Sequence, residues 1–320
     1  KMQILNRLLV DAHYLLDLEN KLKGYDIVHT AETYYHYTQQ ALLAKKKGYV
    51  KKVVATVLEN IPFNNEGIIG RKRFKDIAKK ELDHIIALTQ RTRDALLVEG
   101  VSSEKITVVS HGIDTQRFVP DKDFVKRQTQ SKESIKILFS GRLEKYKGVF
   151  DILYAAKLLL LDKELNKYKI EFIFVGDGSE RNEMLKMEEK LGIKSFVNHK
   201  SVDYTKMPEQ YKNADIFLAP SKADKYWEEQ YCTALLEAQS AGLPIITTMS
   251  GGIPENIGEA GILVPPGGFT QLYLAIKDLI LHPNLRGEFA QKARKRALAV
   301  HDVKHISQQL DTIYQKVLKS

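Results

Sequence analysis

Four stretches in the second half of this sequence set charged side chains beside loops that a ligand could approach. The first is GRLEKYKG, Gly141 to Gly148. Gly141 ends an apolar run, Arg142 follows at once, and Lys147 stands just before a helical pattern. A strand end leading into a helix N-terminus presents backbone N–H groups and a positive dipole end. A guanidinium fork and an ammonium added there make a cage for a diphosphate. Two surface cations near a helix start would read the same way. The second is VGDGSER, Val175 to Arg181, where Gly176 and Gly178 let backbone approach a ligand closely. An ordinary strand-to-helix turn has the same spelling.

The third stretch is WEEQYCTALLEAQSAGLPIITT, Trp227 to Thr248. Glu229 and Glu237 are spaced to lie on a similar face, one before a helix and one about two turns inside it. Each carboxylate accepts two hydroxyls, which suits the vicinal diols of a ribose or hexose. A solvated helix carboxylate is the plainer alternative. The fourth is SGGIPENIGEAGILVPPGG, Ser250 to Gly268, a tight loop after a strand that could wall a sugar pocket or simply turn. Metal chemistry is weakly spelled. DKD, Asp121 to Asp123, sits in a polar stretch rather than at a strand end. His301 and His305 have ligand spacing on a helix, but no third ligand accompanies them, and a solvated face accounts for them. No metal and no cofactor are expected.

The elements that must position these residues follow a regular rhythm. DIVHTA, VVATVL, HIIALT and ITVVSHG are short apolar runs, and helical patterns separate them. The rhythm restarts at KILFSG and continues through IEFIFVGDG, SFVNHKS, DIFLAPS, PIITTM and GILVPPGG. Buried strands alternating with helices of about 10–15 residues read as parallel βαβ units. Ligands of such sheets sit at the carboxyl ends of the strands. Between the two series, Asp114 to Ser134 is polar and aperiodic and reads as a linker. The expected organisation is a first Rossmann-like domain over 1–133, a second over 134–300, and a helix over 301–320 returning toward the first.

Bulk properties set outer limits. A chain of 320 residues exceeds what one core usually supports, so two domains are the default. Its 43% hydrophobic and 28% charged residues are ordinary for a globular protein. The net charge is +9, and the first 135 residues carry about +6 of it. That excess serves solubility or attraction to something anionic, such as a membrane surface, a lipid phosphate or a sugar diphosphate. No zinc-finger, RNP or KH spelling accompanies it, so nucleic acid is not expected as a partner. The single cysteine, Cys232, rules out an intramolecular disulfide and fits a reducing compartment. No apolar run is long enough to span a bilayer. The opening KMQILNRLLVDAHYLL lacks the h-region and cleavage site of a signal peptide. A cytoplasmic location follows as the expectation.

Taken in order and spacing, the four stretches resemble glycosyltransferase family 4, retaining enzymes of the GT-B fold. SHGIDTQRF (Ser110 to Phe118) and ENIPF (Glu59 to Phe63) join the resemblance, which covers nearly the whole chain. It implies two doubly wound α/β domains facing across a cleft and transfer of a hexosyl group from a nucleotide-diphosphate sugar to an acceptor hydroxyl. By the resemblance, Arg142 and Lys147 hold the donor diphosphate and serve catalysis with Glu229, which contacts the sugar hydroxyls. Glu237 takes the ribose diol. Gly141, Gly176, Gly178 and the amides around Tyr231, Cys232 and Thr233 complete the donor site. The implied acceptor is a carbohydrate or a lipid-linked glycan, with a peripheral visit to the inner membrane face.

The sequence departs from the family at two places. Gln230–Tyr231–Cys232 replaces the usual Gly-Phe-Gly or Pro-Phe-Gly, and Glu228 competes with Glu229 one position out of register. The opening strand and Gly-rich loop of the family are missing, so the chain reads as truncated, with an exposed sheet edge and an incomplete acceptor wall. In the loop after the first clear strand, Ala31 stands where relatives often carry a histidine. His29, Glu32, Tyr34, Tyr35 and His36 are the acceptor-side candidates, with aromatic packing as the alternative. These departures keep two other readings open. One is a nucleotide-sugar-binding protein with a degenerate site, and the other is a related GT-B enzyme such as an epimerase or phosphorylase.

Overall fold

The computed structural model describes residues 13–320, and most of the opening segment lies outside the described residues. The chain divides into two compact units, one of residues 1–111 with 304–320 and one of residues 112–303.

The first unit carries four parallel strands: β1 (Tyr25–Ala31), β2 (Val50–Val57), β3 (His84–Ala87) and β4 (Ile106–Val108). They lie in simple sequence order, β1-β2-β3-β4. Helices α1 (His36–Lys46), α2 (Arg71–Glu81) and α3 (Gln90–Val98) connect them. One face buries Ala41, Leu42, Val53, Ala55, Leu82, Ile85 and Leu96. The other buries Val54, Ile86 and Val109 under Ile306, Ile313 and Val317 of the C-terminal helix, Val303–Lys319. That helix repeats apolar residues at helical spacing while its mean composition is polar, so burying the stripe on the first unit's sheet fixes it there. Among the described residues β1 pairs with β2 alone, and its pattern is exposed or half-exposed throughout.

The second unit holds the longer sheet, ordered β10-β9-β8-β5-β6-β7 and parallel throughout. Its elements are α4 (Phe124–Thr129), β5 (Ser134–Ser140), α5 (Val149–Leu161), β6 (Lys169–Val175) and α6 (Arg181–Leu191). There follow β7 (Val197–Lys200), α7 (Met207–Lys212), β8 (Ile216–Ala219), α8 (Thr233–Ser240), β9 (Ile245–Thr248) and α9 (Ile253–Ile257). The unit ends with β10 (Ile262–Val264), α10 (Phe269–Leu281) and α11 (Pro283–Arg296). The strand order reverses between β5 and β8, which places a topological switch point at the carboxyl ends of those two strands. Both faces of the sheet are covered, one around Ile137, Phe139, Phe172 and Phe174 and one around Leu138, Phe217, Leu235 and Ile245.

The unit boundary falls well ahead of the expected break after 133. Asp114 to Ser134 is not a free linker. Phe118 is 1% exposed in the second unit's core, and its carbonyl accepts from Ser240 Oγ at 2.9 Å. Thr115 Oγ1 bonds Asp302, and Phe124–Thr129 is helical. Arg286 is fully buried because its guanidinium donates to the carbonyls of Gln128, Leu279 and Gln130. Polar residues that look aperiodic are thus held by backbone and side-chain hydrogen bonds, which leave no apolar period to read.

Candidate functional site

The end of β5 starts the site. Gly141 has φ 154, and Arg142 follows it, exposed, with its guanidinium carbon 5.4 Å from the Tyr146 ring centroid. Gly176, at the end of the neighbouring β6, has φ 140, and a methyl group there would stand 2.0 Å from Gly141 O. Only glycine permits that approach of two strand ends. Gly178 faces away from the open space: a methyl on it would meet Leu143 O at 2.3 Å, so it packs backbone on backbone. Glu144 closes this turn by accepting from Ser179 N at 3.1 Å and Ser179 Oγ at 2.7 Å.

A cleft of ≈ 390 Å³ opens here, and Gly141, Arg142, Gly176, Tyr204, Thr233 and Glu237 are among its walls. Helix α8 begins at Thr233, so Glu237 lies about one turn inside it rather than two. Glu237 is buried, and its two carboxylate oxygens are both taken. Tyr204 Oη donates to Oε1 at 2.9 Å, and Tyr211 Oη donates to Oε2 at 2.6 Å. Burial raises the Glu237 carboxyl above the ordinary range, and the two hydroxyls pull in the opposite direction.

Lys147 and Glu229 form a second focus. Gly148, at φ 72, lets α5 start against the end of β8, where a methyl group would strike Pro220 O at 2.0 Å. This brings Lys147 Nζ to 2.5 Å from Glu229 Oε2, while Ser221 Oγ donates to the same oxygen at 2.8 Å. Glu229 N donates to Ser250 Oγ at 3.1 Å, and Gly252 N donates to Glu229 O at 2.8 Å, so the SGG loop fixes the backbone behind the carboxylate. Tyr146 and Trp227 pack with centroids 4.4 Å apart and their planes tilted by 47°, and Lys147 Nζ lies 5.6 Å from the Trp227 centroid. Glu228, the competing carboxylate, is buried beside it.

Cys232 stands between the two foci, within reach of the charges of Glu229, Lys147 and Glu237. It precedes α8 with φ 57, a left-handed conformation that a side chain disfavours. Loss of solvation pushes its thiol up to about 12. Asn256 holds this corner: its Nδ2 donates to Tyr231 O and, at 3.3 Å, to Cys232 O, and its Oδ1 accepts from Gln239 Nε2 at 2.8 Å. The Tyr231 ring is 4% exposed and turns inward, with its hydroxyl 3.3 Å from His301 Nδ1. His301 Nε2 lies 3.0 Å from Asn256 O, and since a carbonyl can only accept, the imidazole N–H donates there. Burial lowers it to about 4. The expectation of a solvated His301 fails: the residue is fully buried in a π-helical turn over Ala297–His301, whereas His305 is exposed beside Gln309.

The first unit's candidates separate into interior and surface groups. Glu32 is 3% exposed with φ 60, and its Oε1 accepts from Leu58 N at 2.8 Å and Glu59 N at 3.2 Å. Burial raises it to about 7. Tyr34 is buried, with Arg71 over its ring at 5.0 Å and Tyr35 4.8 Å away. Glu32 and Tyr34 therefore do not present themselves to a ligand; they tie β1 and α1 to the β2–α2 loop. His36 packs on Phe74 at 5.3 Å. His29 is exposed, 2.6 Å from Tyr314 Oη and 2.7 Å from Thr56 Oγ1. It lines a mainly apolar cavity of ≈ 580 Å³ with Leu15, Leu22, Tyr37, Thr56 and His111. Among the described residues no cluster of His, Cys, Asp or Glu could hold a metal, and no helix is long and apolar enough to cross a membrane.

Comparison with known proteins agrees with this architecture. The family "Glycosyl transferases group 1" matches residues 121–296, and "Glycosyltransferase Family 4" matches residues 2–117. A D-inositol 3-phosphate glycosyltransferase of Catenulispora acidiphila is 26% identical over 85% of this chain and 66% of its own length. The capsular polysaccharide biosynthesis glycosyltransferase CapM of Staphylococcus aureus is 24% identical over 73% of this chain and 62% of its own. The chain thus spans about two thirds of the length of these relatives. Anabaena HepE, solved with UDP, superposes with a TM-score of 0.77 at 19% identity, covering 93% of this chain and 81% of that one. Sucrose-phosphate synthase of Thermosynechococcus elongatus gives 0.73 at 20% identity, covering 92% and 74%. With two parallel-sheet Rossmann-like units and a family match over more than half its residues, this chain belongs to the group 1 glycosyltransferases of family 4 and has the GT-B fold.

Proposed function

We propose that this chain transfers a hexosyl group from a nucleotide-diphosphate sugar to an acceptor hydroxyl, with retention at the anomeric carbon. The observation that carries the reading is the pairing of two foci in the second unit. Arg142 and Glu237 share one cleft, and Lys147 is locked to Glu229 at 2.5 Å on its neighbouring loops. HepE has been solved with UDP and with UDP-glucose, which favours a donor of this class.

In this reading Glu237 takes a ribose hydroxyl, and the open space beside Gly141 and Gly176 admits the diphosphate. Arg142 and Lys147 stabilise the charge that grows on the departing diphosphate, the task a divalent cation performs in metal-dependent enzymes. Glu229, held by Lys147 and Ser221, orients sugar hydroxyls. The acceptor oxygen attacks the anomeric carbon on the face that the diphosphate leaves. The C–O bond to phosphate breaks as the new glycosidic bond forms, and a departing phosphate oxygen receives the acceptor's proton. No enzymatic nucleophile enters. A carbohydrate or lipid-linked acceptor, met in the cytoplasm or at the inner membrane face, suits the basic first unit and the lone cysteine.

The test is stereochemical. Product made from an α-linked nucleotide-sugar, in chelator, is followed by proton NMR at the anomeric centre. An α-linked product formed at an undiminished rate in EDTA is expected. A β-linked product, or loss of turnover on chelation, would remove the retaining or the metal-independent part.

A further inference from the structure

Glu237 has two tyrosine partners of very different character. Tyr211 is fully buried, and its hydroxyl holds Oε2 at 2.6 Å from within the core. Tyr204 is 53% exposed, lines the cleft, and holds Oε1 at 2.9 Å from a short 3₁₀ turn, Tyr204–Lys206. The outer tyrosine is supported independently of that bond. The Arg117 guanidinium carbon stands 4.2 Å from its ring centroid, and Arg117 Nη2 donates to its carbonyl at 2.7 Å. Asp203 fastens the turn by accepting from Thr205 N at 2.8 Å.

A carboxylate with one interior and one surface hydroxyl on it is half fixed and half exchangeable. Tyr211 sets the rotamer. The Oε1 bond can be broken without opening the core, because Tyr204 Oη returns to solvent when it leaves. We infer that Tyr204 is a specificity-determining residue of the donor site whose hydroxyl occupies the place of a ribose hydroxyl on Glu237 and is exchanged for it when the nucleotide binds. The inference rests on the nucleotide-sugar reading above.

The exchange has a consequence for selectivity. When a ribose hydroxyl replaces a tyrosine hydroxyl on the same oxygen, one charge-assisted hydrogen bond is traded for another, so little is gained. A nucleotide lacking that hydroxyl leaves Tyr204 in place and loses little. The wild-type site therefore discriminates weakly between ribose and deoxyribose. Tyr204→Phe keeps the ring and its Arg117 stack but leaves Oε1 without its hydroxyl. A ribose hydroxyl then satisfies an otherwise unpaired carboxylate oxygen, and a deoxyribose cannot.

Titration calorimetry of UDP, GDP and ADP, each against its 2′-deoxy and 3′-deoxy form, tests this on wild type and Tyr204→Phe. The expected result is a ribo-to-deoxy affinity ratio of a few-fold in wild type that widens about tenfold in Tyr204→Phe for one of the two deoxy positions. Thermal melting of both proteins accompanies the titrations, and a purely structural role would lower ribo and deoxy affinities together. Equal changes for both forms, or an unchanged ratio, overturn the exchange while the donor reading stands. Failure of the wild type to bind any of the three diphosphates overturns both.

Discussion

Lys147 Nζ sits 2.5 Å from Glu229 Oε2, and the two side chains are only 17% and 9% exposed. Such a pair is costly to halve, because the survivor keeps its charge in a poorly solvated place. Lys147→Met should therefore destabilise the second unit by about 3 kcal/mol. Adding Glu229→Gln should recover part of that loss, giving a positive coupling in a double-mutant cycle. Urea titrations of the four proteins measure it. Strictly additive losses would mean that the pair is not formed in solution.

Gly176 carries the closest approach between the ends of β5 and β6. Gly176→Ala should lower stability by more than about 2 kcal/mol, since both the positive φ and the 2.0 Å contact with Gly141 O oppose a side chain. Gly267→Ala is the control: its φ is 77, but no atom stands near the added methyl. It should cost only about 1 kcal/mol. Denaturant midpoints compare the two, and equal losses would remove the steric argument.

Cys232 itself holds a φ of 57, a backbone conformation that suits glycine. Cys232→Gly should gain about 1 kcal/mol in a denaturant titration, by removing the side chain's opposition to that backbone. The native thiol, pushed up to about 12, should react with iodoacetamide at pH 8 far more slowly than the same thiol in guanidinium. Comparable native and denatured rates would show an accessible, ordinary cysteine instead.

Two buried groups give the units opposite responses to pH. His301 is lowered to about 4 by burial, so the unfolded chain takes its proton first as pH falls. Its contribution is present above the usual imidazole range near 6.5 and is lost as pH falls toward 4, amounting to about 3 kcal/mol. Glu32 is raised to about 7 by burial, so its effect runs the other way. Its contribution is present below about 4.5 and is lost as pH rises through 7. His301→Asn should flatten the acid-side fall in the second unit. Glu32→Gln should stabilise the first unit at pH 8 and leave it little changed at pH 5. Probes placed in each unit read the two slopes, and like-signed slopes would contradict the account.

Much of the architecture was legible from the strand rhythm alone. KILFSG and IEFIFVGDG are runs that a two-sided sheet interior explains, and β5 and β6 stand on them, whereas β1, on DIVHTA, forms as a strand but is exposed or half-exposed throughout. The unit boundary was not legible, because Thr115 and Phe118 are held by Asp302 and Ser240, partners far along the chain. The family resemblance assigned Arg142 and Glu237 to one donor site, and the two line one cleft; spacing paired Glu237 with Glu229, which stands at the neighbouring focus with Lys147. Tyr204, Ser221 and Asn256 escaped notice. Each acts through hydrogen bonds to residues that only the fold brings near, and a DYTK turn or a lone asparagine carries no period. His301 was misread for a related reason: its helix is polar on average, and its burial comes from Tyr231 and Asn256 on other elements. Tyr34 and Glu32 lie in a loop spelled with polar and aromatic letters, yet the β2–α2 connection covers them.

The most direct measurement is a calorimetric titration of UDP-, GDP- and ADP-sugars into wild type and into Arg142→Ala, with melting curves to show that both are folded. Binding of at least one donor by wild type, weakened by at least about tenfold in Arg142→Ala at unchanged melting temperature, is the predicted result. Equal affinity in the two proteins would place the diphosphate elsewhere and contradict the account.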